Sequence, residues 1–124
     1  MNTKVKTQWV NALNSGEYQQ TKQQLFDGDK FCCLGVLCDL YSKEHNDEWE
    51  YRYSDFEDHN RWYFYDQGEV LPDVVMDWAG LKSENPKVGL IDNESREDSF
   101  SDIASMNDSG YNFKELSNYI EQQF

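Results

Sequence analysis

One long apolar run interrupts a chain that is otherwise polar: Phe31-Cys32-Cys33-Leu34-Gly35-Val36-Leu37-Cys38-Asp39-Leu40-Tyr41. Read at helical spacing, Cys33, Leu34, Leu37, Cys38 and Tyr41 share one face, while Phe31, Val36 and Leu40 cover much of the rest. A helix that is apolar nearly all round is buried nearly all round. A run this short also suits a buried strand, but its length of almost three turns and the polar residues after it favour a helix. A glycine inside a helix costs about 1 kcal/mol relative to alanine, so Gly35 predicts another segment crossing closely there. The helix should fade between Ser42 and His45.

The remaining elements follow from the same patterning. Val5, Trp9, Ala12 and Leu13 recur at the helical period and predict a first helix over 3–13, stopped at Asn14-Ser15-Gly16 with Gly16 suited to a left-handed cap. Residues 17–26 are polar and fit either extended or helical structure. Asp27-Gly28-Asp29 signals a turn, and with it a short hairpin into Phe31. Trp49, Tyr51 and Tyr53 alternate with Glu48, Glu50 and Arg52, the pattern of a half-buried strand. Beyond a polar loop over 54–60, Arg61-Trp62-Tyr63-Phe64-Tyr65 predicts a second strand, in a hairpin or meander ending at Gln67-Gly68. That strand is aromatic on both sides, so either both are covered or one is a contact surface. Leu71-Pro72-Asp73 opens a third helix with Pro72 at its first position; Val74, Val75 and Trp78 give its apolar face and Gly80 its end. Asn85-Pro86 is a turn, Val88 to Ile91 a short strand and Glu94 to Asp98 a charged connection. Phe100, Ile103 and Ala104 suggest a brief helix closed by residues 106–110. A last helix starts at Asn112, where Glu115 completes a capping pattern ahead of Phe113, Leu116 and Ile120.

Together these predict an α+β fold: a compact single domain over 1–124, with a central buried helix, several helices packed on it and a small antiparallel β-sheet. A chain of 124 residues is long enough to own a core without staples. No leader-like segment opens it and no apolar run reaches the roughly 18 residues of a membrane span. The expectation is a soluble, cytoplasmic protein with no membrane contact. The three cysteines all lie in the apolar run, where reduced cysteine acts as a small hydrophobe.

Charge narrows the partners. The net charge of −13 excludes duplex nucleic acid held through its phosphates, which takes clustered Lys and Arg. It suits docking on a basic host protein surface or imitating a polyanion. Between Glu44 and Asp66, eight aromatics are interleaved with eight acids and two arginines, which makes this segment the densest candidate for recognition. Trp62 or Tyr65 could stack a nucleobase while Arg52 or Arg61 meets a phosphate. The same residues also suit a buried hairpin, or a protein-docking face, since Tyr, Trp and Arg are the usual anchors of interfaces.

Two further candidates lie elsewhere. Asp39 places a carboxylate in the apolar helix, which is costly unless it is paired; it either reaches the surface or orients a ligand beside the core. Asn107, Asp108, Ser109 and Gly110 precede the last helix and offer amide, hydroxyl and backbone N–H groups near its positive end, where anions bind. The same residues equally serve ordinary loop and cap chemistry. Metal binding by the cysteines with His45 and His59 lacks the paired spacing of zinc modules, and a nucleophilic cysteine lacks an electropositive setting. No phosphate loop, hydrolase elbow or metalloprotease signature is present. No catalytic residue, metal ligand or cofactor is therefore nominated.

The run from Phe31 to Leu40, the block Leu71-Pro72 through Trp78-Ala79-Gly80-Leu81, and Asn107-Asp108-Ser109-Gly110 followed by Phe113 and Ile120 resemble a family of small bacteriophage and prophage proteins of uncharacterised function. Trp9 to Leu13 with Gly16 and Tyr18 fits the same pattern, while residues 44–66 are an elaboration and Asn118 and Tyr119 depart from it. The resemblance implies an accessory protein acting in the host cytoplasm against bacterial defence. The leading expectation is a binder that sequesters a small nucleotide-like ligand, through residues among Asp39, Arg52, Arg61, Trp62, Tyr65 and 107–110. The alternatives are an acidic protein-binding inhibitor, by nucleic-acid mimicry or occlusion, and a hydrolase of a nucleotide signal. A homo-oligomer with a pocket between chains is also compatible.

Overall fold

Trp9 shows how the core is assembled: its indole is fully buried, yet its N–H donates to the Cys33 carbonyl at 2.9 Å. That bond joins the first helix to the central one. The computed structural model describes residues 1–89 and 100–124. It has an α+β fold of five helices and two small antiparallel sheets among these residues. Helix α1 (Thr3–Asn14) buries Val5, Trp9 and Leu13 against α2 (Cys33–His45) and α5 (Phe113–Gln123). Strands β1 (Glu50–Ser54) and β2 (His59–Tyr63) form a hairpin, and α3 (Asp73–Ala79) follows it. Strands β3 (Lys87–Gly89) and β4 (Phe100–Asp102) pair ahead of α4 (Ile103–Asp108). Among the described residues no helix is long and apolar enough to cross a membrane.

The apolar run is the hub that its composition predicts, with one adjustment. Residues Cys32 to Cys38 are buried on every side, but the helix starts at Cys33. Phe31 instead forms isolated bridges with Gln20 and Phe26, and Cys32 caps the helix through its sulfur, which accepts from the Gly35 N–H. The close crossing at Gly35 is the Leu25 backbone: a Cβ built on Gly35 would lie 1.8 Å from the Leu25 carbonyl oxygen. Residues 17–26 form no helix or named strand and cross the hub as an irregular segment, while the turn at 27–30 is closed by Asp27 N–H donating to the Lys30 carbonyl. Burial pushes the Cys32 thiol up to about 12 and drives those of Cys33 and Cys38 well above the usual thiol range. All three are free and buried. A thiol-specific disulfide reagent should therefore modify the native protein more slowly than the denatured chain by about two orders of magnitude or more. Rapid modification of the native state would contradict this placement.

Several boundaries differ from the sequence expectation. The first strand begins one residue later, and Tyr51 and Tyr53 are exposed rather than half-buried, because no layer covers β1 among the described residues. The second strand runs from His59 to Tyr63, and Tyr65 falls in a turn. Pro72 is the cap of α3 rather than its first residue; its φ of −71° and ψ of 156° are extended. Phe100 belongs to β4, not to a helix. The predicted strand 88–91 is seen over 87–89, while residues 90–91 and the connection 94–98 lie outside the described residues. Asn107 and Asp108 close α4 within the expected span 106–110. The last helix begins with Asn112 and Glu115 in a reciprocal capping box, as its sequence indicates.

Candidate functional site

The hairpin places Arg52 directly opposite Arg61. Like charges across a ladder repel, and each guanidinium is neutralised by carboxylates. Arg52 reaches Glu50 at 3.0 Å and Asp66 at 2.8 Å and lies 4.2 Å from the Tyr63 ring centroid. Arg61 reaches Glu57 at 3.2 Å and Glu69 at 3.7 Å, and its side chain is only 12% exposed. Trp62 is half-buried, 5.0 Å from Phe26 and 4.9 Å from Tyr51. Gly28 approaches it so closely that an added Cβ would lie 2.9 Å from the indole nitrogen. Phe26 stacks in turn on Phe31. Trp62 is thus one rung of a ladder of rings leading from the hub to the surface.

Tyr65 and Asp66 are consecutive left-handed residues, with φ of 47° and 66°, in a tight turn between Phe64 and Gln67. Phe64 and Gln67 exchange both backbone hydrogen bonds, at 2.9 and 3.0 Å. Such turns favour Asn and Gly, and a ring there is strained. The Tyr65 hydroxyl donates to the Asp47 carboxylate, a bond that pushes its phenol well above the usual tyrosine range.

Asp39 is not isolated. It accepts from the Tyr18 hydroxyl at 2.7 Å and the Trp49 indole at 3.3 Å, and it pairs with Lys43 at 3.3 Å. Burial, together with the Asp39 carboxylate, raises the Tyr18 phenol. This cluster fastens the residue-18 segment and the hairpin's entry strand to α2.

Asn107 is fully buried and sits among donors and acceptors from three segments. Its side-chain oxygen accepts from the Gln20 amide at 2.7 Å and the Cys33 N–H at 3.2 Å, while its amide donates to the Thr21 carbonyl at 2.8 Å. The Asp108 carboxylate accepts from the Gln23 N–H at 2.8 Å. Ser109 and Gly110 are exposed and end α4. Asn107 and Asp108 are thus engaged with the segment 20–23 and the start of α2, a network that was not legible in the sequence.

A cleft of about 310 Å³ opens beside this network, with Gln23, Glu69, Asn85, Asp102, Ser105 and Asp108 among its lining. A neighbouring hollow of about 190 Å³ reaches Arg61, His59 and Glu57. Between them the two depressions bring Arg61 and Asp108 to one side of the molecule, separated by Glu69, which lines both. In the larger one, burial alone would raise the Asp102 carboxyl, but hydrogen bonds from Ser105 and Asn85 outweigh it and hold it below the usual range. Among the described residues the larger cleft offers three carboxylates and no Lys or Arg to an incoming group.

The hairpin and the turn after it present rings as well as charges to solvent. Tyr51, Tyr53 and Tyr65 are exposed by about half, and Phe56 at the tip is 96% exposed. Asp55, Glu57 and Asp58 flank Phe56, and the Tyr53 hydroxyl donates to Asp58. Sequence reasoning passed over Phe56 as part of a polar loop. The available signal was a lone ring within a run of acids, with no apolar neighbour to pack against.

Among the described residues, no group of three or more His, Cys, Asp or Glu side chains is arranged to hold a metal ion. A family model described as Domain of unknown function (DUF8296) matches residues 1–124. No curated protein and no solved structure matches the chain.

Proposed function

The chain belongs to the DUF8296 family over residues 1–124, and for it we propose a binding function: docking on a positively charged surface of another protein through the β1–β2 hairpin. The observation that carries the reading is Phe56, 96% exposed at the hairpin tip and set among carboxylates. A fully hydrated phenylalanine loses apolar contact to water for no gain in the isolated molecule. Buried in a partner, it becomes an aromatic anchor, and the acids around it form a charged rim. Tyr51 and Tyr53 add two further exposed rings along β1. The resemblance to phage accessory proteins supplies a setting, in which such a face would occlude a basic surface of a host defence protein.

The nucleotide-sequestering reading has the 310 Å³ cleft in its favour. Against it, both arginines meant to meet a phosphate are already held by carboxylates, and the cleft itself is lined by acids. An anion placed there meets repulsion.

A photo-crosslinking amino acid placed at Phe56, in cells that express the protein, tests the two readings together with calorimetry. The expected result is a discrete protein adduct from position 56 and none from the exposed Asn118 on α5. The captured partner should bind the purified chain with an affinity that falls roughly tenfold or more from low to high salt. Phe56→Ala should weaken that binding by about 2 kcal/mol or more and leave stability within about 0.5 kcal/mol, as surface changes do. No adduct from position 56, together with heat on titrating cyclic or linear nucleotides, would replace this reading with the ligand one.

A further inference from the structure

We infer that the partner contributes an extended, lysine- or arginine-bearing segment that pairs as a third strand along the outer edge of β1. The inference rests on the docking reading and names its mode. The hairpin sheet has two strands, and no third strand meets it among the described residues. A two-stranded ribbon is marginal in water and gains from another strand.

Burial identifies the outer edge. Arg61, Trp62 and Tyr63 of β2 are half-buried, whereas Glu50, Tyr51, Arg52 and Tyr53 of β1 are all exposed. Strand β2 therefore lies against the body of the molecule and β1 lies outside it. Exposed edges are usually blunted by short length, unpaired charges (lysine above all), proline or a bulge, and the two charges of this five-residue strand, Glu50 and Arg52, are paired with each other. Strand β1 has no lysine, proline or bulge: its sequence is Glu-Tyr-Arg-Tyr-Ser, and its five pairs run unbroken from Glu50↔Tyr63 to Ser54↔His59. Unpaired N–H and C=O groups on such an edge recruit a strand from another chain.

Charge selects the occupant. Asp47, Glu48, Glu50 and Asp66 line a hollow of about 300 Å³ next to the start of β1. The one cation on the strand, Arg52, is already held by Glu50 and Asp66. A second copy of this chain would bring the same acids edge to edge and be repelled. Side chains alternate along a strand, so a paired segment sets one side against Tyr51 and Tyr53 and the other against Glu50. Lysine or arginine is accommodated on both, on the rings by cation–π contact and beside the carboxylate by ion pairing.

The probe is a synthetic peptide of alternating lysine and valine, with a lysine–proline peptide of equal charge and length as control; proline leaves no backbone donor to pair. Amide exchange of the isotopically labelled protein is followed by NMR. The lysine–valine peptide should bind about tenfold more tightly than the control and slow exchange at β1 amides by about tenfold or more, since pairing closes them to water. Equal, salt-sensitive binding of both peptides with unchanged β1 exchange would overturn the strand-pairing inference while leaving charge-driven docking intact. Binding of neither peptide, with the spectrum of a folded protein, would overturn both.

Discussion

Gly35→Ala is expected to lower the unfolding free energy by about 3 kcal/mol or more, one of the two largest effects foreseen for a single substitution in this chain. In an unencumbered helix the same change would be a gain of about 1 kcal/mol. The sign reverses because the new Cβ would stand 1.8 Å from the Leu25 carbonyl oxygen and 2.7 Å from its carbon. The obstacle is main chain on both sides, and no side chain can rotate out of the way. Leu25 is itself fixed: its carbonyl accepts from Cys32 N–H at 3.2 Å, and its own N–H donates to Gly68 at 2.8 Å. Relief of the clash must therefore move the crossing segment off the helix and disturb the bond to Cys32. Gly16→Ala is the control, because Gly16 has a φ of +80° but nothing within 4 Å of the added carbon. It should cost only the conformational penalty of about 1 kcal/mol. Chemical denaturation of the three proteins measures both numbers, and a Gly35→Ala variant as stable as the parent would refute the close crossing.

Asn107→Ala should cost a comparable amount, about 3 kcal/mol, through polar groups left without partners rather than through a clash. Truncation strands the Cys33 N–H, one of the first-turn amides of α2 that no intrahelical carbonyl can serve. It also strands the Thr21 carbonyl, whereas the Gln20 amide keeps its bond to the Tyr111 carbonyl at 2.8 Å. Asn107→Asp separates this role from mere volume. The shape is kept, but a donor facing the Thr21 carbonyl and the Asp108 carboxylate becomes an acceptor. A charge placed at a fully buried position without a counter-ion costs about 3–5 kcal/mol. The aspartate variant should therefore be at least as destabilised as the alanine one in thermal unfolding at neutral pH. If Asn107→Asp were instead near the parent, the buried side chain would not be holding the three segments together.

The candidate recognition surface was only partly legible in the sequence. The interleaving of rings and acids over 44–66 marked the segment, and the alternation at 49–53 marked a strand. Neither could show which rings would be covered. Trp62 goes inward because Phe26 and Gly28, more than 30 residues away in sequence, meet it there. Tyr51 and Tyr53 stay outside because, among the described residues, no layer covers β1. The arginines read as phosphate ligands from their type alone; their engagement by Glu50, Asp66, Glu57 and Glu69 depends on how the hairpin and the following loop lie together.

The amino-acid sequence by itself determined the features that depend on nearest neighbours and on sheer hydrophobicity. These are the burial of residues 32–38, the helical stripe of Val5, Trp9 and Leu13, the caps at Gly80 and Asn112, and a strongly acidic net charge. Helical periods, cap chemistry and net charge are local or additive, so they can be read along a line. Tertiary structure alone decided what crosses Gly35, which segments Asn107 ties, and which aromatic rings remain in water. Each of those depends on pairs of groups far apart in the chain, and a single sequence carries no record of which distant partner will arrive.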